Sequence, residues 1–332
     1  MADGLTASVT ADLSRIGAAF VVGTGTALAF RDKALTAQQV GKDLGVRFVL
    51  QGNVQRSGSK VRINAQLTDT ASNAQLWSET FDGDSGDLFA LQDQVTTLIG
   101  NSMGRELVVR AARESERRTS GATVADLLLR AHALAIKRQS LTDLREEEML
   151  ARKALALEPG NVEAMSYLAM SLTLQAYNFA TSLGHEAREK AIAEALDMCS
   201  RVQTADPENG RLYTALGMLT SMKGDVDGSM RALEKSLALS PKEPVVYVNL
   251  ANSLYYRAQP QRALVLLQQA LALDPKNPRD GLMINMSWVE FMLGDYDAAI
   301  AWARKFRENP DGHFNFPHRW PGKFLQAGRF QL

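Results

Sequence analysis

Cysteine is almost missing from these 332 residues: Cys199 stands alone. That excludes an intramolecular disulfide and a thiolate-based zinc site, and removes redox compartment as a clue. Cys199 is expected to pack within a helix. Net charge is missing too, since 37 Lys and Arg balance 37 Asp and Glu, and only Arg110 to Arg118 forms a basic cluster. Nothing draws the chain generically onto nucleic acid or anionic lipid. Aromatic residues are only 7% against 45% hydrophobic residues, the profile of an Ala/Leu-rich helical protein and well above disordered chains. Length favours two or more folding units. The longest apolar run, Ile16 to Phe30, is interrupted by Gly17, Gly23, Thr24, Gly25 and Thr26, and it falls short of the ~20 residues of a membrane-spanning helix. The N-terminus lacks the basic start and continuous apolar stretch of a signal peptide. A cytoplasmic location is expected, with the periplasmic face of a membrane-anchored parent protein as the alternative.

Catalytic constellations are scarce as well. His132, His185, His313 and His318 are scattered, with no cysteine or i, i+4 histidine partner to suggest a metal. Gly23-Thr24-Gly25-Thr26 lacks the third glycine, the following helix and the Lys-Ser/Thr ending of a phosphate loop, and reads as a glycine-rich strand or turn. Asp82-Gly83-Asp84-Ser85-Gly86-Asp87 resembles the start of a calcium loop but fails the EF-hand pattern at several positions. It reads as a strand-to-helix turn with Asp87 near a helix N-terminus. There is no Gly-x-Ser-x-Gly elbow, and only Asp197 and Arg201 lie near Cys199 on its own helix. No cofactor, metal site or enzymatic activity is expected of this chain.

What is present is a repeat. A proline closes an Ala/Leu-rich segment at Pro159, Pro207, Pro241, Pro275 and Pro310, with spacings of 48, 34, 34 and 35 residues. Thirty-four residues is the tetratricopeptide-repeat (TPR) period. Each unit is two antiparallel helices with one apolar stripe apiece, and their core is completed only by stacking on the next pair. The proline ends the second helix because it has no N–H and clashes with the preceding turn. In the unit closing at Pro241, Tyr213, Leu216, Gly217 and Thr220 form the first stripe, Gly224-Asp225 turns, and Ser229, Leu233 and Ser236 form the second. The next unit repeats this with Tyr247, Leu250, Ala251 and Leu254, then Ala263, Leu267 and Ala270. The 48-residue spacing places an insertion in the second unit, around Tyr177 to Glu186, between its helices. The resemblance to TPR proteins covers Thr123 to Pro310, about five helix pairs, and residues 311–332 form an irregular tail.

The first hundred residues alternate with period two over Val46 to Phe81, which predicts three strands joined at Ser57-Gly58-Ser59 by an antiparallel hairpin. Thr36 to Leu44 reads as a helix stopped by Gly45, and Asp87 to Arg118 as one or two helices. The fold class is therefore an α+β N-terminal domain, residues 1–118, followed by an all-α TPR solenoid, residues 123–310. Ala2 to Thr6, Val40 to Val46, Gln51 to Val54, Val61 to Asp69, Leu76 to Glu79 and Phe89 to Asp93 resemble the TolB-N-terminal-like or FlgO-like domain that precedes TPRs in bacterial signalling proteins. That resemblance implies an upstream effector, a class III adenylate/guanylate cyclase domain or a winged-helix domain, and this sequence contains neither. It also implies an apolar strand before Ala2, which this chain does not include.

The candidate site is the concave groove lined by the first helix of each repeat. Phase assigns Arg211, Thr214, Met218, Met222, Asn249, Asn252, Tyr256 and Trp288 to it. The TPR resemblance implies that Asn249 and Asn252 bond the backbone of an extended peptide. The carboxylate clamp of chaperone-binding TPRs is not expected, because Thr214 and Met218 stand where its cations would be. The alternative is that these residues are solvated or touch the inserted segment. The expected function is a noncatalytic module of a bacterial signalling protein that binds a protein or peptide partner, and no nucleic acid. The alternatives are part of a class III cyclase whose catalytic domain lies elsewhere, or a FlgO-like envelope or flagellar accessory protein.

Overall fold

The computed structural model describes residues 2–14, 21–30, 35–84, 93, 95–99, 108–113, 115–116, 121–136, 140–275 and 278–308. The chain divides into two compact units, Met1–Gly121 and Ala122–Leu332. The tail beyond residue 308, with His313 and His318, and the turn at Asp87 lie outside the described residues.

In the first unit, helices α1 (Ala2–Ser14), α2 (Thr24–Ala29) and α3 (Ala37–Leu44) precede strands β1 (Phe48–Ser57), β2 (Lys60–Asp69) and β3 (Gln75–Asp84). The strands form an antiparallel sheet in the order β1-β2-β3. The hairpin closes at Ser57 opposite Lys60, where Gly58 takes φ +58°, a conformation that favours a residue without Cβ. Alternation gives β2 two different faces. Val61, Ile63, Ala65 and Leu67 are buried in a core with Val9, Phe81, Val95 and Ile99. On the other face Arg62 pairs with Asp82 and Asn64 donates to Asn53. Helix α3 opens on a reciprocal Thr36–Gln39 capping box and stops at Gly45. Gly23-Thr24-Gly25-Thr26 differs from its expected reading. Gly23 caps a six-residue helix that includes Thr24 to Thr26, because Thr26 and Ala27 donate to the Gly23 carbonyl.

The second unit is a helical-repeat solenoid. Its first pair is α4 (Val124–Ala135) and α5 (Leu141–Leu157), and its second is α6 (Val162–Asn178) and α8 (His185–Ala205), with the four-residue α7 (Ala180–Leu183) between them. Then come α9 (Gly210–Met222) with α10 (Val226–Leu239), α11 (Pro244–Tyr256) with α12 (Pro260–Leu273), and α13 (Asp280–Leu293) with α14 (Tyr296–Arg307). Helices α5, α8, α10 and α12 each end two residues before a proline of the ladder. Polar side chains open six helices of this unit: Thr123, Ser140, Asn161, Asn209, Asp225 and Asp295 each accept an N–H of the first turn. A clasp recurs in consecutive repeats, where the Tyr213 and Tyr247 hydroxyls each donate to the carbonyl of the proline six residues earlier at 2.9 Å.

Small residues let the paired helices approach. A Cβ on Gly217 would lie 2.6 Å from Leu233 Cγ. Thr214 and Ser236 share a 2.7 Å hydrogen bond in the same crossing. The second repeat differs from expectation in detail. Its extra residues lie only partly between helices, because α6 reaches 17 residues and α8 reaches 21, against 13 and 14 in the following repeat.

Candidate partner-binding groove

The first helices α6, α9, α11 and α13 follow one another along the solenoid, so residues one repeat apart share a phase. Asn249 on α11 and Asn285 on α13 are such a pair. Each Nδ2 donates to the carbonyl four residues earlier, Val245 at 2.9 Å and Gly281 at 2.8 Å. That leaves each Oδ1 as an acceptor with no donor among the described residues. Both line a cavity of about 130 Å³, together with apolar Val245 and Val248, with Asn252, and with Arg279 just before α13. Pro244, Val245 and Val248 of α11 give the cavity an apolar side, and its polar groups include Asn249 and Asn252 of the same helix, Asp274 at the end of α12, and Arg279, Asp280 and Asn285 at α13. A volume of this order admits one medium-sized apolar side chain, with amide acceptors beside it for a backbone N–H.

The eight residues expected in the groove do not share one surface. Asn249 and Asn252 line the cavity. Met218 also borders it but is 3% exposed, packed with Leu144, Leu174 and Phe179. Thr214 is buried too, and its hydroxyl is committed to Ser236 and to the Gly210 carbonyl. Thr214 thus stands at the helix crossing, and Met218 stands at the edge of the cavity with the chain's own Phe179 packed over it. Met222 is partly buried against the main core. Arg211 lies with its guanidinium 4.0 Å over the Tyr167 ring and donates to the Tyr167 hydroxyl. Tyr256 is 58% exposed, stacked edge-on against Tyr255. Trp288 lies 6.1 Å from Tyr255 and packs partly against Met283 and Phe306.

Arg211 belongs to a second polar feature. Glu147 of α5 is 1% exposed, and neither carboxylate oxygen has a hydrogen-bond partner among the described residues. Burial pushes its carboxyl up to about 8, against the opposing pull of Arg211 and Arg279, with Asp143 adding to the rise. Burial, helped by Arg211, lowers His132 to about 4. The His132 ring lies 6.3 Å from that of Tyr167. Arg279 also donates to the Ala135 carbonyl at the end of α4.

Sequence reasoning missed Asn285, Arg279 and Glu147. Asn285 follows Asn249 by 36 residues rather than 34, because the link from Pro275 to α13 is longer than that from Pro241 to α11. Allowing for that offset would have found it. Glu147 was visible as an acid within the stripe Leu144, Leu150, Ala151 and Ala154 that α5 buries.

Fold and site together define the class: an α+β unit followed by a TPR-type helical solenoid with an open cavity on its first helices. No protein-family model matches the chain. Over 187 residues it is 35% identical to "Putative adenylate cyclase 3" of Rhizobium meliloti (strain 1021), a match covering 54% of this chain and 31% of that protein. The chain thus spans less than a third of that relative's length. Similar solved structures include TTC0263, a thermophilic TPR protein of Thermus thermophilus. It is 17% identical with a TM-score of 0.41, over 63% of this chain and 95% of that one. PilW, a widely conserved type IV pilus biogenesis factor, is 16% identical with a TM-score of 0.38, over 66% and 90%. The APC/C hetero-tetramer Cut9-Hcn1 gives 18% and 0.45, over 66% and 39%.

Proposed function

We propose that this chain is a noncatalytic interaction module of a bacterial signalling protein, and that the cavity between α11 and α13 holds a partner segment. The observation that carries this reading is the pairing of Asn249 and Asn285 around an apolar pocket. Two helix faces supply acceptors for a backbone in register, and Val245 and Val248 supply a seat for one side chain. Affinity would come from burying that side chain and orientation from the amides. On the same reading the N-terminal unit is a TolB/FlgO-like domain over residues 1–118, the solenoid occupies 123–310, and the module works in the cytoplasm. No helix among the described residues is long and apolar enough to cross a membrane.

Val248→Trp, which fills the cavity, tests the reading. Partner protein recovered from a lysate of the source cells on immobilised wild-type chain should fall at least ~10-fold with the variant, at unchanged helical circular dichroism. Equal recovery would sink the idea. The likeness to the cyclase-named relative favours a second reading, in which the parent protein makes a cyclic nucleotide. We place that chemistry outside these residues, so the isolated chain supplied with ATP, GTP and Mg²⁺ should release no cyclic nucleotide, and turnover would refute the placement.

A further inference from the structure

Met218 and Asn252 stand one 34-residue period apart on successive first helices, and both are occupied by the same stretch of chain. Phe179 is 3% exposed and packs on Met218, Leu144 and Leu174, with Leu183 against the same cluster. Tyr177, in the last turn of α6 and 75 residues before Asn252, accepts the Asn252 amide on its hydroxyl at 2.6 Å. The segment is the end of α6 and the short link to α8. Helix α7 has four residues, Thr181 and Ser182 face solvent, and Gly184 at φ +78° has open space around it. Tyr177 also borders the cavity, so the segment covers one stretch of the groove and walls off the next.

We propose that residues 177–183 are a built-in occupant of the groove, and that the surface beneath them takes an external segment of the same chemistry: a tyrosine, a phenylalanine two residues on and a leucine four further. The tyrosine hydroxyl reads Asn252, and the two apolar side chains fill the hollow formed by Leu144, Leu174 and Met218. A short tether presents the internal segment at millimolar effective concentration, so a free peptide at micromolar concentration is excluded from the intact chain and admitted once the internal anchors are weakened. The proposal rests on the groove reading above, but the two fail separately: Val248→Trp probes the open cavity without altering Tyr177 or Phe179.

The experiment uses a fluorescein-labelled peptide of residues 174–186, titrated by anisotropy into the full chain and into a Tyr177→Ala/Phe179→Ala variant. The variant should bind at least tenfold tighter than the wild-type chain, and a peptide carrying the same two alanines should bind neither. A helical variant that binds no better than wild type, or that binds the altered peptide equally, overturns the proposal. Hydrogen exchange on the unaltered chain decides independently if the variant loses its helix content. Amides of residues 179–184 should exchange at least a hundredfold faster than those of 168–174, and equal protection overturns the proposal because an occupant that never leaves cannot be displaced.

Discussion

Replacing Glu147 by glutamine should change how stability depends on pH while preserving shape. Between its ordinary 4.5 and about 8, the folded chain keeps a proton on Glu147 that the unfolded chain has released. Stability therefore falls as pH rises through that window, by ~1.4 kcal/mol per pH unit or about 5 kcal/mol in all. His132 acts in the opposite sense. Its folded value of about 4 lies below the ordinary 6.5, so over that range the unfolded chain holds the extra proton and stability rises with pH. The two slopes oppose each other from 4.5 to 6.5, which leaves 6.5 to 8 as the window where Glu147 acts alone. Across it the wild type should lose about 2 kcal/mol, or ~4–8 °C in melting temperature for a unit of this size. Glu147→Gln should lose none of that component. Thermal melts of both proteins at pH 6.5 and 8, followed by helical circular dichroism, provide the comparison, and groups shared by both cancel. Equal changes in the two proteins would refute the reasoning and mean that the carboxylate is ionised in the folded chain, paired with Arg211 or Arg279.

Three further outcomes follow from local geometry. Ala258 has φ 55° in the turn where the neighbouring repeats use Gly224 and Gly294. Ala258→Gly should therefore raise stability by ~0.5–1 kcal/mol in urea unfolding, the left-handed strain outweighing glycine's extra entropy. Gly217→Ala would drive a Cβ against the fully buried Leu233 and should cost ~1–3 kcal/mol by the same measurement. An unchanged midpoint would mean that the α9–α10 crossing has slack. Burial pushes the Cys199 thiol up to about 12, and the residue is 1% exposed. Alkylation by iodoacetamide at pH 8 should thus be at least ~100-fold slower than in denaturant; comparable rates would show that α8 opens readily.

The repeat was legible because its signals are local. A proline cannot continue a helix that precedes it, and the asparagines and aspartates that open the helices carry their capping chemistry with them. The β2 alternation is equally direct, since period two leaves Val61, Ile63, Ala65 and Leu67 on one face. The groove was only partly legible. Asn249 and Asn252 were recognisable by phase, but phase cannot say which groove positions the chain covers with its own residues. Tyr177 and Phe179 come from an insertion with no periodic counterpart, so nothing in the repeat announces that they reach Asn252 and Met218. The helix at Thr24 was missed for a related reason: its glycines and threonines have weak intrinsic preferences, and the carbonyl of Gly23 decides the matter by accepting two N–H groups.

A stack of repeats in which each touches only its neighbours behaves as a one-dimensional chain, able to fray from either end at a cost set by a single interface. The hydrogen bond from Arg279 to the Ala135 carbonyl joins the start of the fifth pair to the end of the first pair's opening helix, 144 residues earlier. That long-range link makes the topology of contacts a loop. Neither terminal pair can then unzip without also breaking a bond to the other, so deleting the fifth pair should loosen the first. The link is one hydrogen bond of 3.3 Å, so the added cost of fraying either end should be about 1–2 kcal/mol.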